Sequence, residues 1–330
     1  MNKGNDMKIP PIEFAPLEGA TDSLFRQVHA AYFPHAARYY TPFLSPTQDH
    51  LFTNKDLREI LPEHNRDICV IPQLIGHNAD DFLWAAGELK AMGYTEVNLN
   101  LGCPSGTVTK KKKGAGLLGD IPMLTDFLDR IFDKAPLAVS VKTRIGRKDE
   151  AETEALAALF ARYPLASLIV HPRLEKDFYK GPIRANAFAL FQAASPCPVC
   201  YNGDLQHRGH IADFVAANPD VPRLMCGRGF IANPKLAGEA MGEAPLTKAE
   251  FAAFYEEFFA RNREKLTDDR QLLAHTKEYW AYWGPNFENC EKPLKQLRKA
   301  TALPDYKDAA ACILAFGELR NPAGSHPAGI

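Results

Sequence analysis

No run of apolar residues in this 330-residue chain approaches the roughly 20 that a membrane-spanning helix needs, so no membrane insertion is expected. An excess of charge is missing as well, because 39 Lys and Arg stand against 40 Asp and Glu, for a formal net charge of −1. A balance this close to zero neither demands nor excludes a nucleic-acid partner, since phosphate binding depends on clustering and not on the sum. Cysteine is sparse at seven, an odd number scattered along a long chain, which describes no disulfide framework. The polar start of the chain has no apolar stretch behind it that would read as a secretory signal. Cys197-Pro-Val-Cys200 has C-x-x-C spacing, but no second pair and no neighbouring His supports it, so it reads as structural and no metal is expected. These absences describe a cytoplasmic protein with reduced thiols, expected to be monomeric.

What is present is enough apolar material, 46% of residues, to exclude disorder as the dominant state. Eight short apolar, β-branched runs occur at residues 12–16, 38–42, 68–73, 96–100, 137–142, 167–171, 198–202 and 223–227. Their ends are 25 to 42 residues apart, the room that one βα unit requires. Helical signals fill the gaps. Asn78 is a candidate cap, with Asp80 and Asp81 in the first turn, Phe82, Ala85, Ala86 and Leu89 on one face, and Gly93 as a stop. Met123, Leu124, Phe127, Leu128, Ile131 and Phe132 form a second stripe at the helical period. Eight such units match a TIM (β/α)8 barrel, with a doubly wound open sheet as the competitor. Past Gly242 the strands stop, and residues 250–266, 271–283, 291–301 and 306–318 read as four helices with no strands between. The expected organisation is a barrel over 1–243, an all-helical domain with its own core over 244–320, and a disordered tail over 321–330.

The strand ends are unusually polar. Gln73, Asn98, Asn100, Lys142, His171, Asn202, Asp204 and Arg228 all lie at or just past a carboxyl end, where barrel enzymes keep their chemistry. Any one of them could be a loop cap; the whole set is poorly explained that way. Cys103, between Gly102 and Pro104, opens the longest loop. No His or Asp stands beside it to make it a nucleophile, and a buried structural thiol or a proton donor are both open to it. Lys110-Lys-Lys-Lys113 follows, a solvated loop or a contact for a polyanion. The next segment, Gly114-Ala-Gly-Leu-Leu-Gly119, fits G-x-G-x-x-G, but a dinucleotide fingerprint directly follows a strand and this one follows a lysine run. Glycines at 203 and 227, with Arg228 beside the second, sit after the last two strands, the usual phosphate cradle of this fold. A phosphorylated cofactor is implied.

In order along the chain, Ala15-Pro-Leu-Glu-Gly19, Pro72-Gln73, Asn98-Leu-Asn-Leu-Gly-Cys-Pro-Ser105, Ser140-Val-Lys-Thr-Arg144, Val170-His171-Pro-Arg173, Tyr201-Asn-Gly-Asp204 and Met225-Cys-Gly-Arg-Gly229 resemble the motifs of the tRNA-dihydrouridine synthases. Asn98 stands where many members have Asp, and His171-Pro-Arg-Leu174 where many read His-Gly-Arg-Thr. The resemblance implies FMN in the barrel mouth. Pro16, Leu17 and Glu18 would line its ring, and Gln73 and Lys142 would bond the polar edge. His171, Asn202, Gly203, Asp204, Gly227 and Arg228 would hold its ribityl chain and phosphate. Asn100 and Arg144 would face a uracil, and Cys103 would protonate C5 after hydride, drawn originally from NADPH, reaches C6. The tRNA body would lie on the helical domain, where Lys292, Lys295 and Lys299 share a helix face with Arg298 beside them. The aromatic group Tyr279, Trp280, Tyr282 and Trp283 reads as helix-packing core. Two other readings are a flavin barrel acting on a free pyrimidine, as in dihydroorotate dehydrogenases, and a non-catalytic tRNA-binding protein.

Overall fold

A computed structural model describes residues 8–320; the expected tail at 321–330 lies outside the described residues. Nine short parallel strands form one sheet: β1 (Ile12–Phe14), β2 (Tyr39–Tyr40), β3 (Val70–Ile71), β4 (Gln73–Leu74), β5 (Glu96–Leu101), β6 (Ala138–Arg144), β7 (Leu168–His171), β8 (Val199–Tyr201) and β9 (Arg223–Cys226). Their order is β3-β2-β1-β9-β8-β7-β6-β5-β4. The two ends of that order are halves of a single strand, interrupted at Pro72, which has no N–H to give a ladder. Pro72 still accepts from the Asn98 N–H at 2.8 Å, and a parallel bridge from Leu44 to Leu74 continues the β2 side past the break. The sheet is therefore a closed eight-stranded barrel, and the open-sheet alternative falls.

Alternation along each strand decides what the barrel shows to its axis. Ile12 and Phe14, Val97, Leu99 and Leu101, Val139 and Val141, and Leu168 and Val170 face the helices and join the main core. Ala15, Tyr40, Ile71, Ile169, Cys200 and Met225 form a second, smaller cluster inside the barrel. Residues in register with these, one step of two further on, open at the carboxyl end. Asn100 pairs with Lys142 across β5 and β6, and Arg144 with His171 across β6 and β7.

The surrounding helices follow the local signals. Asn78 Oδ1 accepts from Asp80 and Asp81 N–H groups at the start of helix Ala79–Ala91, and Gly93 takes φ +96° just past its end. The carboxyl-terminal region contains helices Lys248–Lys265, Asp269–Trp283, Glu291–Lys299 and Leu303–Phe316. The expectation of no strands there is corrected: β10 (Phe287–Glu288) pairs antiparallel with β11 (Glu318–Leu319), too short to show as an alternating run. Nor does this region keep a core to itself. Phe25 of the first barrel helix stacks on Tyr279 at 5.2 Å and meets Phe254 and Phe258 edge-on, so one apolar core runs through both parts. Among the described residues no helix is long and apolar enough to cross a membrane.

Candidate active site

The carboxyl end of the barrel has two unlike walls. On the β4–β6 side the side chains are neutral and satisfy one another. Gln73 Nε2 donates to Asn98 Oδ1 at 2.8 Å, Asn98 Nδ2 donates to Ser140 Oγ at 2.9 Å, and Asn100 Nδ2 donates to Gln73 Oε1 at 2.7 Å. All three amides are buried, so each bond offsets a desolvation cost that an unpaired amide would carry in full.

Cys103 sits at the edge of this wall on a loop held from several directions. Asn100 Oδ1 accepts from both the Gly102 and Cys103 N–H groups, at 3.0 and 2.9 Å. Arg144 Nε donates to Gly102 O at 2.9 Å, and the Ala115 N–H donates to Cys103 O at 3.1 Å. The segment Gly114–Gly119 that mimics a dinucleotide fingerprint is a buried 3₁₀ turn behind this loop. Gly114 has φ +56°, and a Cβ there would lie 2.9 Å from Cys103 O, so the glycine allows the close approach. Burial pushes the Cys103 thiol up, against smaller opposing effects of the Ser105 N–H, Arg144 and Lys142. It is a protonated thiol at neutral pH.

The β6–β9 wall is cationic. Lys142, Arg144, Arg173 and Arg228 converge around His171, and among the described residues the one acid bonded to any of the four is Asp204. Arg173 grips that carboxylate at 2.9 and 2.5 Å, and Arg228 reaches it at 3.0 Å. Asp204 takes φ +46°, an uncommon backbone for a non-glycine residue, and follows directly on Gly203. Burial and the four cations push His171 far down, so its imidazole is neutral. Lys142 has no ion-pair partner among the described residues; burial first, and then Arg144, push it down to about 8. Such a surplus of buried positive charge is the electrostatic signature of a site for an anion.

The other expected cradle residues close around this point. Asn202 Nδ2 donates to Met225 O at 2.9 Å, tying the ends of β8 and β9. A Cβ on Gly227 would lie 3.1 Å from Leu17 Cδ1, so Leu17 and Gly227 pack face to face. Pro16 precedes them half-buried, and the Glu18 side chain pairs with Lys55 at 2.6 Å. Asn100 and Arg144 carry out structural duties beyond those expected, through the Cys103 loop and through Arg144 Nη1 to Leu174 O at 2.8 Å. Lys292, Lys295, Arg298 and Lys299 lie elsewhere, all exposed on helix Glu291–Lys299, whose buried face is Leu294 and Leu297. No ion pair engages any of these four among the described residues. Cys200 is buried inside the barrel and Cys197 bonds Ser195.

Sequence reasoning missed Tyr179. Its ring lies 5.4 Å from both the Arg144 and Arg228 guanidinium centres and 6.2 Å from the His171 ring, with about half of the residue exposed. It stands in an irregular loop with no periodicity to mark it. Arg173 stood two residues past a strand tip, inside the matched segment Val170-His171-Pro-Arg173, but was given no role of its own.

A family model for dihydrouridine synthase (Dus) matches residues 13–314, which takes in the barrel mouth and the helical region together. The chain belongs to the Dus family. Among its relatives is a probable tRNA-dihydrouridine synthase 1 from Synechocystis, 30% identical over 310 residues, covering 90% of this chain and 79% of that one. The tRNA-dihydrouridine synthase B of Shewanella oneidensis is 28% identical, covering 67% of each chain. Morphinone reductase shares the barrel fold, with a TM-score of 0.50 at 15% identity over 73% of this chain and 88% of that one. Within the Dus family, then, the polar mouth and the exposed lysine helix belong to one matched unit.

Proposed function

We propose that this Dus-family chain reduces the C5=C6 bond of a uridine in tRNA, with FMN seated in the barrel mouth and NADPH as reductant. The observation that carries the reading is the pairing of two features in one mouth: four cations around His171 with a single bonded acid, Asp204, and a protonated thiol held on the neutral wall beside them. The residues fit FMN. Lys142, with a lowered proton affinity and no acid partner, suits the electron-rich edge of the ring, while Arg228 and the Asn202–Asp204 and Gly227 turns suit a phosphate. FMN, when bound and reduced, supplies hydride to C6 of the uracil.

The chain's own work is orientation and one proton. Cys103 donates its proton to C5, and its raised proton affinity keeps it loaded at neutral pH. Asn100 and Arg144 fix the backbone on either side of that thiol, and the Arg144 Nη2 group, which makes no hydrogen bond among the described residues, is left to donate to a uracil oxygen. Neutral His171 donates without adding charge. A uridine stacked in folded RNA cannot reach this depth, so it is turned out of the stack, with Tyr179 at the rim to receive its face. Lys292, Lys295, Arg298 and Lys299 hold the tRNA backbone.

The test is nucleoside mass spectrometry of tRNA lacking dihydrouridine, before and after incubation with the protein, FMN and NADPH. New dihydrouridine that requires NADPH supports the reading. A flavin-loaded protein that oxidises NADPH yet leaves tRNA unchanged, while reducing free uracil or orotate, overturns it.

A further inference from the structure

Helix Asp269–Trp283 reaches past its own neighbours to two loops of the barrel mouth. Tyr279, fully buried, donates its hydroxyl to Ala20 O at 2.8 Å, in the loop that follows β1. Four residues on, Trp283, also fully buried, donates Nε1–H to Ile231 O at 2.8 Å, in helix Arg228–Ala232 after β9. Asn286 adds a bond to Ala232 O at 2.7 Å. β1 and β9 are neighbours in the barrel, and their two loops meet where Leu17 packs on Gly227.

The β1 loop closes on itself and is tied at several points. Thr21 Oγ1 accepts from the Leu17 N–H at 2.8 Å, the Ala20 and Thr21 N–H groups donate to Leu17 O at 3.1 Å, and Arg26 Nη1 donates to Thr21 O at 2.8 Å. Glu18 pairs with Lys55 at 2.6 Å, and Lys265, at the end of helix Lys248–Lys265, pairs with Asp22 at 2.7 Å. Tyr279 is what ties Ala20 of this loop to helix Asp269–Trp283.

We propose that Tyr279 and Trp283 are positioning residues for the cofactor: they set the spacing of the β1 and β9 loops and thereby the shape of the flavin cradle. This rests on FMN occupying the mouth, as proposed above. The helical region thus belongs to the redox site through its packing, apart from any part it plays in holding RNA. Both act through backbone carbonyls, Ala20 O and Ile231 O, each three residues from Leu17 and Arg228 respectively.

The experiment compares the whole protein with Tyr279→Phe, Trp283→Phe and Tyr306→Phe. The last removes the acceptor of bonds from Trp280 and Tyr255 inside the helical region and touches neither loop, so it controls for a comparable loss of stability. FMN dissociation constants are measured by fluorescence quenching at a temperature where thermal melts show every variant folded, together with the visible flavin spectrum. Tyr279→Phe and Trp283→Phe are expected to bind FMN about fivefold to tenfold more weakly, the equivalent of one hydrogen bond, with a changed band shape, while Tyr306→Phe matches the parent. Equal affinities in all four proteins, or equal weakening in all three variants, overturn the proposal while leaving the FMN reading intact. A parent protein that binds no FMN overturns the reading itself, and this proposal with it.

Discussion

Lys142 is where function and stability pull in opposite directions. Its ammonium lies in the barrel mouth without an ion-pair partner, and burial together with Arg144 pushes it down to about 8 from an ordinary 10.5. Holding that charge at pH 7 costs the apoprotein about 3 kcal/mol, at about 1.4 kcal/mol for each pH unit of displacement. Between pH 8 and 10.5 the unfolded chain binds the extra proton and the folded chain does not. Measured against a variant lacking that charge, the parent apoprotein should therefore gain stability with pH across that window, by up to about 3 kcal/mol. Buried thiols and phenols such as Cys200 and Tyr40, pushed up by burial, act in the opposite sense in both proteins. Lys142→Met keeps the length of the side chain and removes the charge. At pH 7 the Lys142→Met apoprotein should be more stable than its parent by up to about 3 kcal/mol, and that difference should close as pH rises through the same window. The order should narrow or reverse with FMN: a ligand at 100 times its dissociation constant adds about 2.7 kcal/mol to the parent and much less to a variant that binds it poorly. Urea unfolding of both proteins, with and without FMN at pH 7 and 9.5, reads all of this. An apo Lys142→Met protein no more stable than the parent would refute the desolvation argument; an undiminished gain from FMN would refute the contact.

Cys103→Ala should bind FMN and tRNA normally yet lose about 10²–10⁴ in turnover, measured by dihydrouridine formed per enzyme, and unchanged product formation would remove it as the acid. Because burial raises the Cys103 thiol, turnover at saturating substrates should hold through neutral pH and fall only in the alkaline range. A pH profile that falls near neutrality would count against it. Asn100→Ala leaves the Gly102 and Cys103 amides without their acceptor and Gln73 without its donor, so turnover should fall by more than tenfold and by more than FMN affinity does; fluorescence titration beside a turnover assay separates the two. Replacing Lys292, Lys295 and Lys299 together with Ala should weaken tRNA binding and lower the slope of log affinity against log salt by up to about three, and an unchanged slope moves the RNA contact elsewhere.

The barrel was legible because its signals are local. Apolar runs of five or six residues at βα spacing, and polar tips such as Asn100, Lys142 and His171, need no knowledge of distant contacts. Alternation then carries those tips to one opening, which the register of β5, β6 and β7 bears out. What stayed hidden is pairing across the chain. Nothing near Arg173 in sequence says that Asp204 is its partner, 31 residues away. The break at Pro72 was written in the sequence, yet whether proline ends a strand or merely notches it depends on neighbours; here Leu44 and Asn98 carry the sheet past it. Gly114–Gly119 shows the opposite failure, a familiar glycine spacing whose cause is close packing against the Cys103 loop. The shared core was missed because Phe254, Phe258 and Tyr279 have a helical period whichever body they pack against, and periodicity does not name the partner.

The unlike walls of the mouth bear on how one chain can hold a protonated thiol beside so many cations. Placed among Lys142, Arg144, Arg173 and Arg228, a thiol would lose its proton readily, since nearby positive charge favours the thiolate. Cys103 instead stands over the neutral network of Gln73, Asn98, Asn100 and Ser140, where burial raises the thiol by more than Arg144 and Lys142 lower it. Arg144 makes the compromise workable. Its guanidinium is spent on Gly102 O and Leu174 O and packs on the Tyr179 ring, so it shapes the thiol's loop with its charge turned partly to other acceptors. Asn98 brings no charge to this wall, and it accepts from Gln73 and donates to Ser140. The separation of charge between the walls is thus what lets a cluster of cations and a protonated thiol occupy one barrel end.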